Sequence, residues 1–176
     1  MKKVAIVMGS ASDYDRVRPA VEVLREAGVP LVTRVLSAHR TPEEAGLFAA
    51  TAAAHSIGVI IAAAGKAAHL AGALAARTTL PVIGIPIRAT ALDGMDALLS
   101  TVQMPQGIPV ATVAIDGAAN AAILALEILA LGDPGIAARV LEMRERIRQQ
   151  ALAADAEVQQ RIAAEFGADV AEACAP

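Results

Sequence analysis

Five short apolar runs, each closed by a turn and followed by a helical pattern, limit this 176-residue chain to very few architectures. The runs are Lys3–Met8, Pro30–Leu36, Gly58–Ala62, Pro81–Ile85 and Val110–Ile115. They are nearly continuous in apolar residues, which fits strands buried on both faces. The helical stretches follow in turn. Asp13–Ala27 carries Val17, Val21 and Leu24 at helical spacing and stops at Gly28. Thr41-Pro42-Glu43-Glu44 is a helix start, with Thr41 as N-cap, proline in the first turn and acids beside the positive end of the helix dipole. Ala67–Arg77, Leu92–Val102 and Gly117–Leu131 complete the set. Strand and helix alternating in this way build an α/β fold, a five-stranded parallel sheet with helices on both faces. Ligands of such sheets bind beyond the carboxyl ends of the strands, so the loops after the strands are the place to look for function.

After Gly132-Asp133-Pro134 the pattern changes. Ile136, Val140, Met143, Ile147, Ala151, Ala154, Val158 and Ile162 step by three or four, with Arg and Glu between them. The expected organisation is an α/β catalytic domain over 1–132, then an amphipathic helix over 133–166 and a loose tail over 167–176. That helix has its own domain or a neighbouring subunit to pack on.

Composition removes several classes. With 56% apolar and 19% charged residues the chain is not disordered. Cys174 is the sole cysteine, so no disulfide framework exists. A net charge of −3 offers no grip on nucleic acid or anionic lipid. The uncharged windows Ala45–Gly65 and Ala97–Ile115 are interrupted by His55 and Ser56 and by Pro105 and Pro109, and neither suits a membrane span. Lys2-Lys3 runs into an apolar stretch too short for a signal peptide, so a cytoplasmic protein is expected. Between residues 43 and 132 the charged side chains are Glu43, Glu44, Lys66, Arg77, Arg88, Asp93, Asp96, Asp116 and Glu127. A middle so poor in charge points to surface covered by other subunits, ahead of a bare alanine-rich surface.

Three strand ends carry polar groups suited to chemistry. The first is Gly9-Ser10-Ala11-Ser12-Asp13, where glycine and hydroxyls suit a phosphorylated ligand and Asp13 suits ribose hydroxyls. Ser12 or Asp13 as a plain helix cap is the bland alternative. The second is Ser37-Ala38-His39-Arg40-Thr41-Pro42. A histidine there can move protons near neutral pH, and an arginine can hold a phosphate bidentately. The third, Gly65-Lys66-Ala67-Ala68-His69-Leu70, has small residues whose amides can close over a ligand, and a second histidine. His55 lies away from any strand end and has no role. Three histidines without a cysteine or acid at ligand spacing argue against a metal. Gln103–Pro109 is a Pro/Gly-punctuated loop, either a rigid connector or a lid over a neighbouring pocket.

Taken together, Met8-Gly9-Ser10-x-Ser12-Asp13, Ser37-Ala38-His39-Arg40-Thr41-Pro42, Ala67-Ala68-His69-Leu70 and Val102-Gln103-Met104-Pro105-x-Gly107-Ile108-Pro109 resemble the N5-carboxyaminoimidazole ribonucleotide mutase family of purine biosynthesis over roughly residues 3 to 150. The resemblance implies a flavodoxin-like three-layer α/β/α sandwich assembled as a homo-octamer, the C-terminal helix reaching a neighbour. It implies an isomerase that converts N5-carboxyaminoimidazole ribonucleotide to the 4-carboxy isomer through enclosed carbon dioxide, with no metal, biotin, nucleotide or other cofactor. By carry-over His39 is the general acid/base, and Ser10, Ser12, Asp13 and Arg40 bind ribose and phosphate. Gly9, Ser37, Ala38, Gly65, Lys66, Ala67, His69 and Leu70 complete the substrate site. Where many members carry glycines this chain has Ala63 and Gly65-Lys66, and Ala71 stands in place of a proline. Lys66 therefore adds a charge beside the pocket, available to bicarbonate or the substrate carboxylate. Two alternatives compete: a direct aminoimidazole ribonucleotide carboxylase using carbon dioxide, and a non-catalytic nucleotide- or flavin-binding module. The flavin version lacks a ring to stack on, since the chain has no Trp and only Tyr14.

Overall fold

The computed structural model describes residues 1–167; Cys174 and nearly all of the expected tail lie outside the described residues. The chain divides into two units, Met1–Ala137 and a second beginning at Ala138.

The first unit runs β1 (Lys3–Met8), α1 (Tyr14–Glu26, entered through a 3-10 turn at Ala11–Asp13), β2 (Leu31–Val35) and α2 (Pro42–Thr51, extended by a 3-10 turn at Ala52–His55). It continues with β3 (Ile57–Gly65), α3 (Leu70–Ala75), β4 (Val82–Ile87), α4 (Met95–Val102), β5 (Ala111–Thr112) and α5 (Ala118–Ala130). The strands form one sheet in the order β2-β1-β3-β4-β5, every pair parallel. That order is the flavodoxin-like one.

Alternation along β1 sends Ala5 and Val7 to one face and Val4, Ile6 and Met8 to the other. Ala5 and Val7 join Ala45 and Ala49 of α2, Leu70 and Leu74 of α3, and Ile60 and Ala62 of β3 in a buried cluster. α1 packs against α5, burying Val17, Ala20 and Leu24 from one helix and Ala121, Ala122, Ala125 and Leu126 from the other. Alanines dominate these surfaces because helix and sheet approach closely, and there is little room for larger side chains.

Burial on both faces holds for β1, β3 and β4. It fails for both edge strands: Thr33, Arg34 and Val35 of β2 are exposed, and in β5 Ala111 is exposed and Thr112 only half-buried. Other element bounds also differ from expectation. β3 runs on to Gly65 because β1 and β4 supply partners up to Ala63 and Gly65 respectively. α3 is correspondingly shorter, since Lys66–His69 is loop, with Lys66 in the left-handed region at φ 56°. β5 stops after two residues. Gly84 and Pro86 of β4 offer carbonyls to Val113 and Asp116 at 3.1 and 2.9 Å, yet Pro86 has no N–H to return. Thr41 occupies the N-cap position of α2 but caps nothing: its hydroxyl accepts from Ser37 N–H at 2.9 Å and so closes the β2–α2 turn.

The Gln103–Pro109 loop is docked on α3. A Cβ at Gly72 would come within 3.1 Å of Met104 Sδ, so the loop's methionine occupies the space a side chain there would need.

α6 is one continuous helix over Pro134–Phe166. Within the second unit Arg148 donates twice to Glu145, at 2.8 Å each, and holds that carboxyl below its usual range. Ile147, Leu152 and Val158 stand exposed on the helix. Among the described residues no helix is long and apolar enough to cross a membrane.

Candidate active site

The carboxyl ends of β1, β2, β3 and β4 open into one cleft of about 650 Å³, within the range of small-molecule sites. Its lining includes all thirteen residues singled out from sequence: Gly9, Ser10, Ser12, Asp13, Ser37, Ala38, His39, Arg40, Gly65, Lys66, Ala67, His69 and Leu70. It also includes Arg16, Ala64, Ile87, Arg88, Ala89 and Thr90, which sequence reading missed.

The β1 loop is held by its own hydroxyls. Ser10 Oγ accepts from Ser12 N–H at 3.3 Å and lies 2.8 Å from Ser12 Oγ. Asp13 makes no capping bond to α1, so its carboxylate is not committed to the helix. Burial pushes the Asp13 carboxyl above its ordinary value, partly offset by hydrogen bonds from the Ser10 backbone and the Ser12 hydroxyl and by the charge of Arg40. A raised folded-state value means that ionising Asp13 costs stability. The cost is absent below the ordinary value of 3.8 and is complete once the pH has risen through the folded one. Asp13→Asn is therefore expected to melt higher than the parent at pH 7. The gap should shrink as the pH falls toward 4, in thermal scans across that range. A gap independent of pH contradicts the assignment.

Arg40 reaches back over the end of β1. Its Nη2 donates to Gly9 O at 2.8 Å and its Nε to Ser37 Oγ at 3.3 Å, while its own N–H reaches the same hydroxyl at 3.2 Å. The guanidinium is thus fixed at the cleft wall, with donors to spare beyond these bonds.

His39 and His69 meet across thirty residues of sequence. His39 Nε2 lies 2.9 Å from His69 Nδ1, with the rings nearly perpendicular at 85°. One proton serves that contact, so the tautomer of each ring depends on the other. Behind them, Gly65 is close-packed: a Cβ there would lie 3.1 Å from Ile87 O. The β3 loop can therefore present its amides and small side chains to the cleft.

The overlooked residues have identifiable causes. The fourth strand was expected to end at Ile85 and runs to Ile87, which moves Arg88–Thr90 to a strand end. Arg16 lies three residues past Asp13, on the same side of the first turn of α1, a placement that helical spacing could have suggested.

The AIR carboxylase family model matches residues 3–150. Two relatives named N5-carboxyaminoimidazole ribonucleotide mutase are similar over most of their length. The one from Pyrococcus abyssi is 54% identical over 149 residues, covering 85% of this chain and 86% of that protein. The one from Bacillus subtilis is 51% identical over 151 residues, covering 85% and 93%. A crystal structure of Treponema denticola PurE superposes with a TM-score of 0.81 at 29% identity, covering 89% of this chain and 98% of that one. With its fold, its cleft and these similarities in agreement, the chain belongs to the AIR carboxylase family.

Proposed function

We propose that this chain is an N5-carboxyaminoimidazole ribonucleotide mutase. The observation that carries the reading is the His39–His69 contact beside Arg40 in one cleft, in a chain so similar to relatives of that name. In this reading Arg40, Ser10 and Ser12 hold the phosphate, and Asp13 takes the ribose hydroxyls. The exocyclic N–carboxylate bond breaks, its electron pair stays on nitrogen, and His39 delivers a proton there. Carbon C4 of the resulting enamine then attacks the carbon dioxide, and His39 takes back the proton that C4 loses. No proton is consumed, and no redox partner is needed. His69 holds the His39 ring in orientation through Nε2 while His39 gives up and regains its proton.

Carbon dioxide must not escape between the two steps, so the cleft has to stay closed and dry around it. Gly65–Leu70 supplies small walls for that purpose. Substrate carrying a ¹³C-labelled carboxylate, turned over in unlabelled bicarbonate, should give product that keeps its label. Loss of the label to the solvent pool contradicts an enclosed intermediate.

Arg40→Ala should raise KM about tenfold or more with a smaller change in kcat, because a charge-assisted contact to phosphate serves ground and transition states alike. An unchanged KM refutes the phosphate role. A cytoplasmic homo-octamer completes the proposal. Leu92, Met95, Leu99 and Val102 step along one side of α4 and its entry turn, each 46–62% exposed. This is a stripe suited to a neighbouring subunit. Sedimentation of a stable monomer contradicts it.

A further inference from the structure

Asp116 gathers two arginines onto the rim of the cleft, one from the start of α1 and one from the end of β4. It lies just after β5 with its backbone in the left-handed region, at φ 57°. Its N–H donates to Pro86 O at 2.9 Å, and its Oδ1 accepts from Arg88 N–H at 3.0 Å. Its Oδ2 pairs with Arg16 Nη1 and lies 3.7 Å from Arg88 Nε. Asp93, also left-handed at φ 51°, pairs with Arg88 Nε at 3.4 Å from the other side. The Asp116 side chain is only 21% exposed, whereas the two arginines are about half exposed and line the cleft.

Stability does not account for this cluster. Half-exposed ion pairs contribute about 0–1 kcal/mol, and each left-handed aspartate gives back a comparable amount in backbone strain. What the arrangement does achieve is orientation. Arg88 is gripped through its Nε and its backbone, and its Nη groups make no hydrogen bond among the described residues. The acids lie behind the arginines, so the cleft itself is lined by Arg16, Arg40, Lys66 and Arg88 against Asp13 alone.

Arg40 by itself is a thin clamp for a phosphate monoester. It already spends donors on Gly9 O and Ser37 Oγ, and the ligand carries nearly two negative charges at neutral pH. Arg16 lies on the first turn of α1, directly after the Ser10–Asp13 loop. Arg88 lies two strand spacings from β1, about 10 Å along the sheet edge. The carboxylate end of the ligand is claimed by the histidine pair on the β2 and β3 loops.

We infer that Arg16 and Arg88, held by Asp116 as a positioning residue, form a second cationic jaw that closes on the substrate's phosphate opposite Arg40. The inference rests on the cleft binding a ribose phosphate, as the proposed function requires. It reaches further in assigning affinity to residues outside the family motifs quoted above.

Ribose 5-phosphate is the probe, measured by calorimetry on the full chain, with steady-state kinetics alongside. Arg88→Gln and Arg16→Gln should each weaken ribose 5-phosphate about tenfold and raise KM by a similar factor, with kcat changed far less. Arg88→Lys should recover part of the loss, as a point charge without the guanidinium fork. Asp116→Asn keeps an acceptor for Arg88 N–H and tolerates the left-handed backbone. It should still weaken the probe several-fold, because the arginines lose the charge that aims them. Circular dichroism of each variant should match the parent. Unchanged affinity for ribose 5-phosphate in both arginine variants overturns the jaw. So does a loss seen only with a carboxylated, phosphate-free nucleoside, which would assign the arginines to the carboxylate. If the probe binds and weakens as expected while no carboxylate migration is detected, the jaw stands and the mutase reading falls.

Discussion

His39→Asn should lower turnover by about 10²–10⁴-fold, the usual contribution of a positioned acid/base, while leaving the fold and the assembly as they are. The imidazole is exposed, and the side-chain contact recorded for it is the one to His69, so no core packing depends on it. Asparagine can still hydrogen-bond to His69 Nδ1 but cannot accept and return a proton in this pH range. The effect should therefore fall on kcat, with KM nearly retained, since Arg40 and the β1 hydroxyls still hold the nucleotide end. Near-normal turnover in a well-folded variant removes His39 from the chemistry.

A large effect on stability is expected far from the cleft mouth. Gly84 lies in the middle of β4, paired with Ala62 of β3 and Thr112 of β5. A Cβ there would enter the van der Waals surface of Thr101 Cγ2 and approach Val110 Cγ1 to 3.1 Å. Thr101 cannot move aside. It is buried on α4, and its hydroxyl donates to Ala97 O at 2.7 Å. Gly84→Ala should cost about 1–3 kcal/mol through overpacking, at roughly 2–4 °C of melting temperature per kcal/mol for a domain of this size. Adding Thr101→Ser removes the clashing methyl and keeps the hydroxyl bond, so the double variant should recover most of the loss. An unchanged melting temperature in Gly84→Ala contradicts the packing described here.

Legibility from sequence followed the range of the forces involved. β1 was readable to the residue because Lys3 and Gly9 bracket an unbroken apolar run, and local pattern decides such an element. Ala63-Ala64-Gly65 was not readable as strand, since alanine and glycine carry no strand preference and the ladders to β1 and β4 impose it. β5 was overextended because the residue that cuts it short, Pro86, sits in another strand. The site divides in the same way. His39 and Arg40, and likewise Lys66 and His69, declared themselves as polar residues at the ends of apolar runs. The Arg16–Asp116 pairing joins positions 100 residues apart, and no local pattern announces it. The exposed stripe on α4 lies within the charge-poor middle, whose composition could suggest a covered surface but not its position.

The central claim, carboxylate migration within one molecule rather than capture of carbon dioxide from solution, is tested most directly by offering the purified protein each substrate alone. N5-carboxyaminoimidazole ribonucleotide should be converted to the 4-carboxy isomer efficiently without added bicarbonate. Aminoimidazole ribonucleotide should react poorly unless bicarbonate is raised far above physiological levels. Efficient carboxylation of aminoimidazole ribonucleotide at ordinary bicarbonate, with the N5-carboxy compound left unconverted, would contradict it and make the chain a direct carboxylase.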